Sequence, residues 1–197
     1  MHKYRFQGRH QSGLTAIELM VTLSILGILI AIAAPSMTRF VAQWRVSNAV
    51  NSFTGALRIA RTEAIARSRP VVLCRVASNT STSCQTTIGT NGLASGWIVF
   101  VDMDGNATFS TAGGDELLLR QEALSGIDSI EPTDSSMPKF TFYPSGLSNK
   151  PAGFNFDAAG FANTSIPDWA RKGICMTKSG RIRYVADSAD CGTNEQP

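Results

Sequence analysis

The stretch LTAIELMVTLSILGILIAIAA, residues 14–34, decides how the rest of the chain is read. Its 21 positions hold a single charge, Glu18. At about 1.5 Å rise per residue, a helix of that length reaches roughly 31 Å, the thickness of a bilayer's hydrocarbon layer. The stretch therefore predicts a membrane-spanning helix. A secretory signal peptide is the competing reading, with a basic start, an apolar stretch and Ala31-Ile32-Ala33 as a small-residue cleavage site before Ala34. Glu18 argues against it. A carboxylate in an apolar helix costs roughly 2.5 to 3.5 kcal/mol at the bilayer centre and less near its edge, so something has to compensate it.

Helical period continues beyond the span, over 41–68. Val46, Val50, Phe53, Leu57, Ala60 and Ala64 step by four and three, which makes one apolar stripe, and Arg45, Arg58, Arg61 and Arg67 lie off it. Arg69-Pro70 should stop the helix, because the residue before a proline is pushed out of the helical region. The punctuation then changes to short β-like runs at 71–76, 97–102, 117–121, 140–143, 154–156, 174–177 and 182–185. Clusters of Gly, Asn, Ser and Pro separate them, with long loops expected at 77–96 and 125–138. The pattern predicts an α+β fold in which one antiparallel sheet lies on a long N-terminal helix.

Composition bounds the chemistry. The 197 residues are 43% hydrophobic and 17% charged, enough for one ordinary core plus an appendage. Net charge is +3, yet Lys3, Arg5 and Arg9 precede the apolar span, and without them the two signs balance. A nucleic-acid partner must therefore be argued from local clustering. The only histidines, His2 and His10, share that leader, which disfavours a His-dependent enzyme or a metalloenzyme. Ser145 in Pro-Ser-Gly lacks the Gly-x-Ser-x-Gly elbow, so an enzyme is not expected.

Cys74, Cys84, Cys175 and Cys191 form two sequence-local pairs, with no Cys-x-x-Cys and no histidine to complete a zinc site. Two disulfides in an oxidising periplasm is the natural reading, with Cys74–Cys84 and Cys175–Cys191 favoured over the other two connectivities. Closing each short loop would add roughly 2 to 4 kcal/mol. Charge bias around the span is small, since Arg39 and Arg45 follow it closely, so the cysteines orient the chain better than the positive-inside rule does.

Charge is uneven along the second half. Arg171, Lys172, Lys178, Arg181 and Arg183 fall within thirteen positions that contain no acid. Ser179-Gly180 should turn between two short strands, with Arg181 and Arg183 on one face and Ile182 directed to the core. Two adjacent guanidinium forks suit a polyanion, although ordinary solvated strand arginines would give the same spacing. Asp102-Met-Asp-Gly-Asn106 resembles the start of a calcium loop, but Gly113 stands at the twelfth position, where a glutamate is needed. We read it as a plain Asp-Gly hairpin turn with no metal. Trp97 and Trp169 read as core or rim packing rather than base-stacking platforms.

Gly13 followed by Leu-Thr-Ala-Ile-Glu-Leu resembles the processing site of type IV prepilins. That resemblance implies cleavage after Gly13 by a prepilin peptidase and methylation of Leu14, which stands where the family usually has Phe. It also implies pairing of Glu18 with a neighbouring subunit's N-terminal amine, and a helix-kinking proline at Pro35. A second resemblance covers most of the chain. Gly96-Trp97 through Asp102, Asp115-Glu116-Leu117-Leu118, Phe142 through Gly146 and Gly180-Arg181-Ile182-Arg183 together look like the GspH/FimT group of minor pilins and pseudopilins. It implies a type IV pilin fold, with a leader at 1–13, a transmembrane and assembly half-helix at 14–40 and a periplasmic head at 41–197.

Within that group, Gly-Arg-x-Arg near the C-terminus is associated with FimT-like members that bind DNA during natural transformation. The resemblance thus implies DNA held by its backbone through Gly180, Arg181 and Arg183, helped by Lys178, Lys172 and Arg171. No cofactor is expected. Its expected partners are DNA, other major and minor pilins, prepilin peptidase and the inner membrane. The subunit would cross that membrane once and later join a surface pilus. The alternative is a structural subunit, FimU-like or GspH-like, that primes a pilus or a type II secretion pseudopilus. Pairing of Arg181 and Arg183 with acids such as Asp187 or Asp190 would favour that alternative. An adhesin tip has no sequence feature of its own.

Overall fold

The computed structural model describes residues 15–134, 136–161 and 166–191. The chain divides into two compact units, one ending at Thr38 and one spanning Arg39–Pro197. Helix α1, Ala16–Arg67, begins in the first. Thr15 Oγ1 accepts the Glu18 N–H at 3.3 Å, a cap for the first turn, and Glu18 lies where the helix dipole favours an anion. Thr22 Oγ1 and Ser24 Oγ donate to the carbonyls of Leu19 and Met20, so these hydroxyls are satisfied within the helix itself. By length and composition α1 is apolar enough to cross a membrane, which fits a membrane-anchored chain. Gly13 and Leu14 lie outside the described residues. α1 runs through position 35, but the side chain of Pro35 also lies outside them.

In the second unit the expected stripe is the buried face of α1: Val46, Val50, Phe53, Leu57, Ala60 and Ala64 are all buried. Ser68 adopts φ 52° immediately before Arg69-Pro70, where the helix stops. Eight strands follow among the described residues: β1 Val71–Arg75, β2 Trp97–Val101, β3 Glu116–Gln121, β4 Ile127–Pro132, β5 Lys139–Phe142, β6 Ala152–Ala158, β7 Arg171–Met176 and β8 Ile182–Val185. They form two four-stranded sheets with antiparallel pairings, in the orders β3-β2-β1-β5 and β4-β6-β7-β8, where the sequence reading expected one sheet.

Strand β4 is a second correction, because it lies inside the segment read as a loop at 125–138. A bulge between Ile127 and Ser129 shifts its register, so Ile127 and Ile130, three apart, are both buried and the period of two is broken. The first sheet has two buried faces. Val71, Leu73, Trp97 and Val99 join the core under α1, while Val72, Cys74, Ile98 and Phe100 make a smaller cluster with Cys84 and Phe109 from the loops beyond. Burial on both sides explains why β2 reads as an unbroken apolar run, Trp-Ile-Val-Phe-Val.

Phe53 is the point where helix and both sheets meet. Its ring lies edge-on to Trp97 of β2 at 5.3 Å, Phe154 of β6 at 4.8 Å and Phe156 of β6 at 5.7 Å. Both disulfides are those expected, Cys74–Cys84 and Cys175–Cys191. The first ties the loop over the outer cluster to β1. At the end of β1, Arg75 Nε donates to the Gly92 carbonyl of that loop at 2.8 Å, and burial lowers the pKa of that guanidinium.

One ion triad anchors the outer face of the second sheet. Arg171 on β7 donates from Nε and Nη2 to Asp157 on β6 at 2.6 and 3.0 Å, and from Nη1 to Asp187 at 2.7 Å. The Ala189 N–H, then Asn155 and Arg171, hold the Asp187 carboxyl below the usual carboxylate range against the opposing effect of burial. The paired carboxylates likewise raise the pKa of Arg171, which stays charged throughout.

Two predictions follow from this packing. Phe53→Ala removes a fully buried ring from all three contacts and should cost about 3 to 5 kcal/mol, read as a lowered unfolding midpoint of the full chain in detergent. The depressed pKa of Asp187 means that its stabilisation is complete above the unfolded-state value of about 4 and is lost as pH falls through the folded value. The stability advantage of the native chain over Asp187→Asn should therefore be present near neutral pH and shrink progressively below about pH 4.

Candidate nucleic-acid interface

The residues Thr177 to Arg181 build the turn between β7 and β8. The Thr177 N–H donates to the Arg181 carbonyl at 3.0 Å, and the Gly180 N–H donates to the Thr177 carbonyl at 2.8 Å. The Arg181 N–H donates to Thr177 Oγ1 at 3.2 Å. Gly180 sits at φ 75°, in the left-handed region, and a Cβ there would lie 2.8 Å from Arg61 Cδ and 3.4 Å from Phe142. The missing side chain lets the turn rest against α1 and β5. The turn is held from the other side as well, since the Ser148 N–H donates to the Lys178 carbonyl at 2.8 Å and Arg61 Nε donates to the Gly146 carbonyl at 3.0 Å.

Strand parity then sorts the five clustered cations. On β7 the even positions Ile174 and Met176 are buried in the core, so Lys172 shares their helix-facing side, and its Nζ donates to Ser47 Oγ on α1 at 2.9 Å. The odd positions face away from the helix. Cys175 pairs in register with Arg183 and carries the second disulfide there. Arg171 lies on that outer face too, but both of its forks are committed to Asp157 and Asp187. The patch read from sequence as five cations is therefore three, Lys178, Arg181 and Arg183, at the hairpin, with Lys172 on the other face and Arg171 spent on the fold.

Lys178, Arg181 and Arg183 are exposed, and Ile182 between the arginines is half-buried against the core, as expected. The Arg181 guanidinium makes no ion pair or hydrogen bond among the described residues. Arg183 Nη2 donates to the backbone carbonyl of Asp190 at 3.3 Å and lies 3.9 Å from Cys175 Sγ. Of the two acids named as candidate partners, Asp187 is taken by Arg171, and Asp190 meets Arg183 through its main chain.

The other candidate positions resolve differently. Trp97 is fully buried, and Trp169 is half-buried against Phe161 at 5.1 Å, with the Arg39 guanidinium 5.6 Å above its ring. The Asp102-Gly turn proves to be a longer loop closed by two aspartates. Asp102 accepts from the N–H groups of Gly105 and Ala107 at 2.9 Å each, and Asp115 accepts from Met103 and Ser110 at 2.9 and 2.8 Å. Burial pushes the Asp102 carboxyl up, although those N–H donors oppose the shift. Asp102, Asp104 and Asp115 bring their oxygens within 4.8 Å of one another, and the loop's own amides donate to the two buried ones. Asp115 lies outside the Asp-x-Asp-Gly spacing, and the chain folds back to bring it there as the second anchor.

The family model for the type II transport protein GspH matches residues 49–188, and the prokaryotic N-terminal methylation motif matches residues 8–34. No curated protein matches the sequence significantly. Among solved structures, the type IV minor pilin FimU of Pseudomonas aeruginosa is similar at 13% identity and TM-score 0.49, over 75% of this chain and 98% of that one. The minor pseudopilin EpsH of the Vibrio cholerae type 2 secretion system is similar at 12% identity and TM-score 0.48, over 72% of this chain and 96% of that one. With the GspH model spanning residues 49–188 and the methylation motif on the apolar start of α1, the chain belongs to the GspH family, as a minor pilin or pseudopilin.

Proposed function

We propose that this minor pilin binds DNA without reading its sequence, through Arg181, Arg183 and Lys178 on the β7–β8 hairpin, and that its task is DNA capture for uptake. The reading is carried by Arg181: an exposed guanidinium without an intramolecular partner among the described residues, on a turn held in place by α1, β5 and Ser148. A cation on a fixed mount loses little conformational freedom when it meets a phosphate. Lys172, on the helix-facing side, would add a contact only if the strand wraps the edge of the sheet. In the same proposal, prepilin peptidase cuts after Gly13, Leu14 is methylated, and Glu18 pairs with the N-terminal amine of a neighbouring major or minor pilin. The subunit waits as a single-pass protein of the inner membrane, with its head in the periplasm, before entering a pilus at the cell surface.

The match to a type II transport protein supports a second reading, a structural subunit that primes a pilus or secretion pseudopilus. DNA binding separates the two. With about two or three phosphates engaged by the three hairpin cations, affinity should be weak and log K should fall against log salt with a slope of about −0.9 per phosphate. The double variant Arg181→Ala/Arg183→Ala, as folded full chain in detergent, should lose most binding in a gel-shift assay and flatten the salt slope by about 2. Undiminished binding would remove both arginines from the proposal. Gly180→Ala forces a Cβ into a left-handed residue against Arg61 and should destabilise the chain by about 1 to 2 kcal/mol, measured by thermal unfolding, while displacing the hairpin and weakening DNA binding with both arginines still present.

A further inference from the structure

The two sheets have four outer edges, and their treatment is unequal. The edge of β4 is covered by Asn91 and Gly92: the Ile130 N–H donates to the Asn91 carbonyl at 3.2 Å, and Asn91 Nδ2 donates to the Asp128 carbonyl at 2.9 Å. The edge of β5 is covered by the segment after it, with the Tyr143 N–H donating to the Leu147 carbonyl at 2.9 Å and the Asn149 N–H to the Thr141 carbonyl at 2.8 Å. Strands β3 and β8 have no such cover among the described residues, and only β8 carries a pair of cations beside its edge. An exposed row of unpaired N–H and C=O groups is a template for another strand, and folds normally mask it.

The phase of the ladder shows which groups are on offer. Thr177 and Arg181 form a bonded pair, so Arg183 and Val185 turn their backbone groups toward β7, while Ile182 and Tyr184 turn theirs outward. The side chains flanking that row differ on its two faces. On the outer face stand Arg181 and Arg183, two residues apart. On the helix-facing side Tyr184, 55% exposed, borders a groove of about 630 Å³ that also runs along Ser47 and Val50 of α1 and reaches Lys172. An added strand would alternate in the same way, placing every second side chain over the arginines and the others in the groove.

We propose that β8 accepts an extended strand from a partner protein in which carboxylate and apolar residues alternate, the carboxylates meeting Arg181 and Arg183 and the apolar side chains filling the groove beside Tyr184. This goes beyond DNA capture and does not depend on it. Both ligands use the arginines, so they should compete, but only the peptide uses the outward amides of Ile182 and Tyr184.

The probe is a blocked peptide of alternating Glu and Val, about seven residues long, titrated by fluorescence anisotropy into the full chain in detergent. Saturable binding is expected. The same peptide N-methylated at its valines, whose amides face β8 when their side chains fill the groove, keeps its charge and side chains but cannot join the ladder in that register, and it should bind at least about tenfold more weakly. Hydrogen exchange at the Ile182 and Tyr184 amides should slow when the unmethylated peptide binds. Tyr184→Pro deletes an outward N–H that β7 does not use and should abolish peptide binding while leaving DNA affinity unchanged. Equal binding of the methylated peptide or of oligoglutamate would reduce the site to a charge patch and overturn the proposal, as would no binding at all. These arms use the native chain and stand whether or not Tyr184→Pro folds, and loss of DNA binding alone would sink only the reading of the previous section.

Discussion

Everything in the head depends on burying one stripe of α1 against two sheets at once. A single sheet could cover only one side of that stripe. Phe53 shows why two are needed, because its ring is closed in by Trp97 from one sheet and by Phe154 and Phe156 from the other, leaving no exposed surface. Edge-on aromatic packing of this kind adds roughly 0.5 to 1.5 kcal/mol per pair beyond the area buried. It also fixes direction. The helix cannot slide along either sheet without opening the aromatic contacts to the other.

That constraint sets the chemistry of the surface through strand parity. Once Ile174 and Met176 must face α1, Arg171 and Cys175 must face away from it, and Arg183 follows Cys175 by register. The outer face then has three cations and two acids to arrange. Asp157 is almost fully buried, and a buried carboxylate without a partner would be costly, so Arg171 is drawn into the fold and Asp187 with it. Held by Arg171, Asp187 makes no ion pair with Arg181. The triad that strengthens the fold is thus also what leaves Arg181 available.

The helix, its stop at Arg69-Pro70, most strands and both disulfides were legible in the sequence because each has a local cause: a period of three and four, a proline, a short apolar run between turn residues, two close pairs of cysteines. Strand β4 was not legible. Its bulge puts Ile127 and Ile130 on the core side three residues apart, and Ser, Glu and Pro between and after them read as loop. The division into two sheets was hidden for a different reason, since strand partners are a matter of distant pairing. Spacing placed Arg171 in one cluster with the hairpin arginines, but nothing local to Arg171 reveals that Asp157, fourteen residues away, would claim it. Charge clustering in sequence overstates a patch whenever a strand's two faces are counted together.

A mount of this stiffness has a consequence for binding. Two or three phosphate contacts give little affinity on their own at physiological salt, and stiffening the hairpin improves that only by lowering the ordering cost. Capture strong enough to hold a polymer must come from many heads, or from one strand meeting one head repeatedly, because effective concentration multiplies weak contacts without adding new ones. A partner strand on β8 would act in the opposite sense at the same place, covering Arg181 and Arg183 in heads that are docked and leaving them open in heads that are not. If both proposals hold, the exposed edge and the exposed arginines are one feature, and the ligand that occupied it would set whether a head serves assembly or capture.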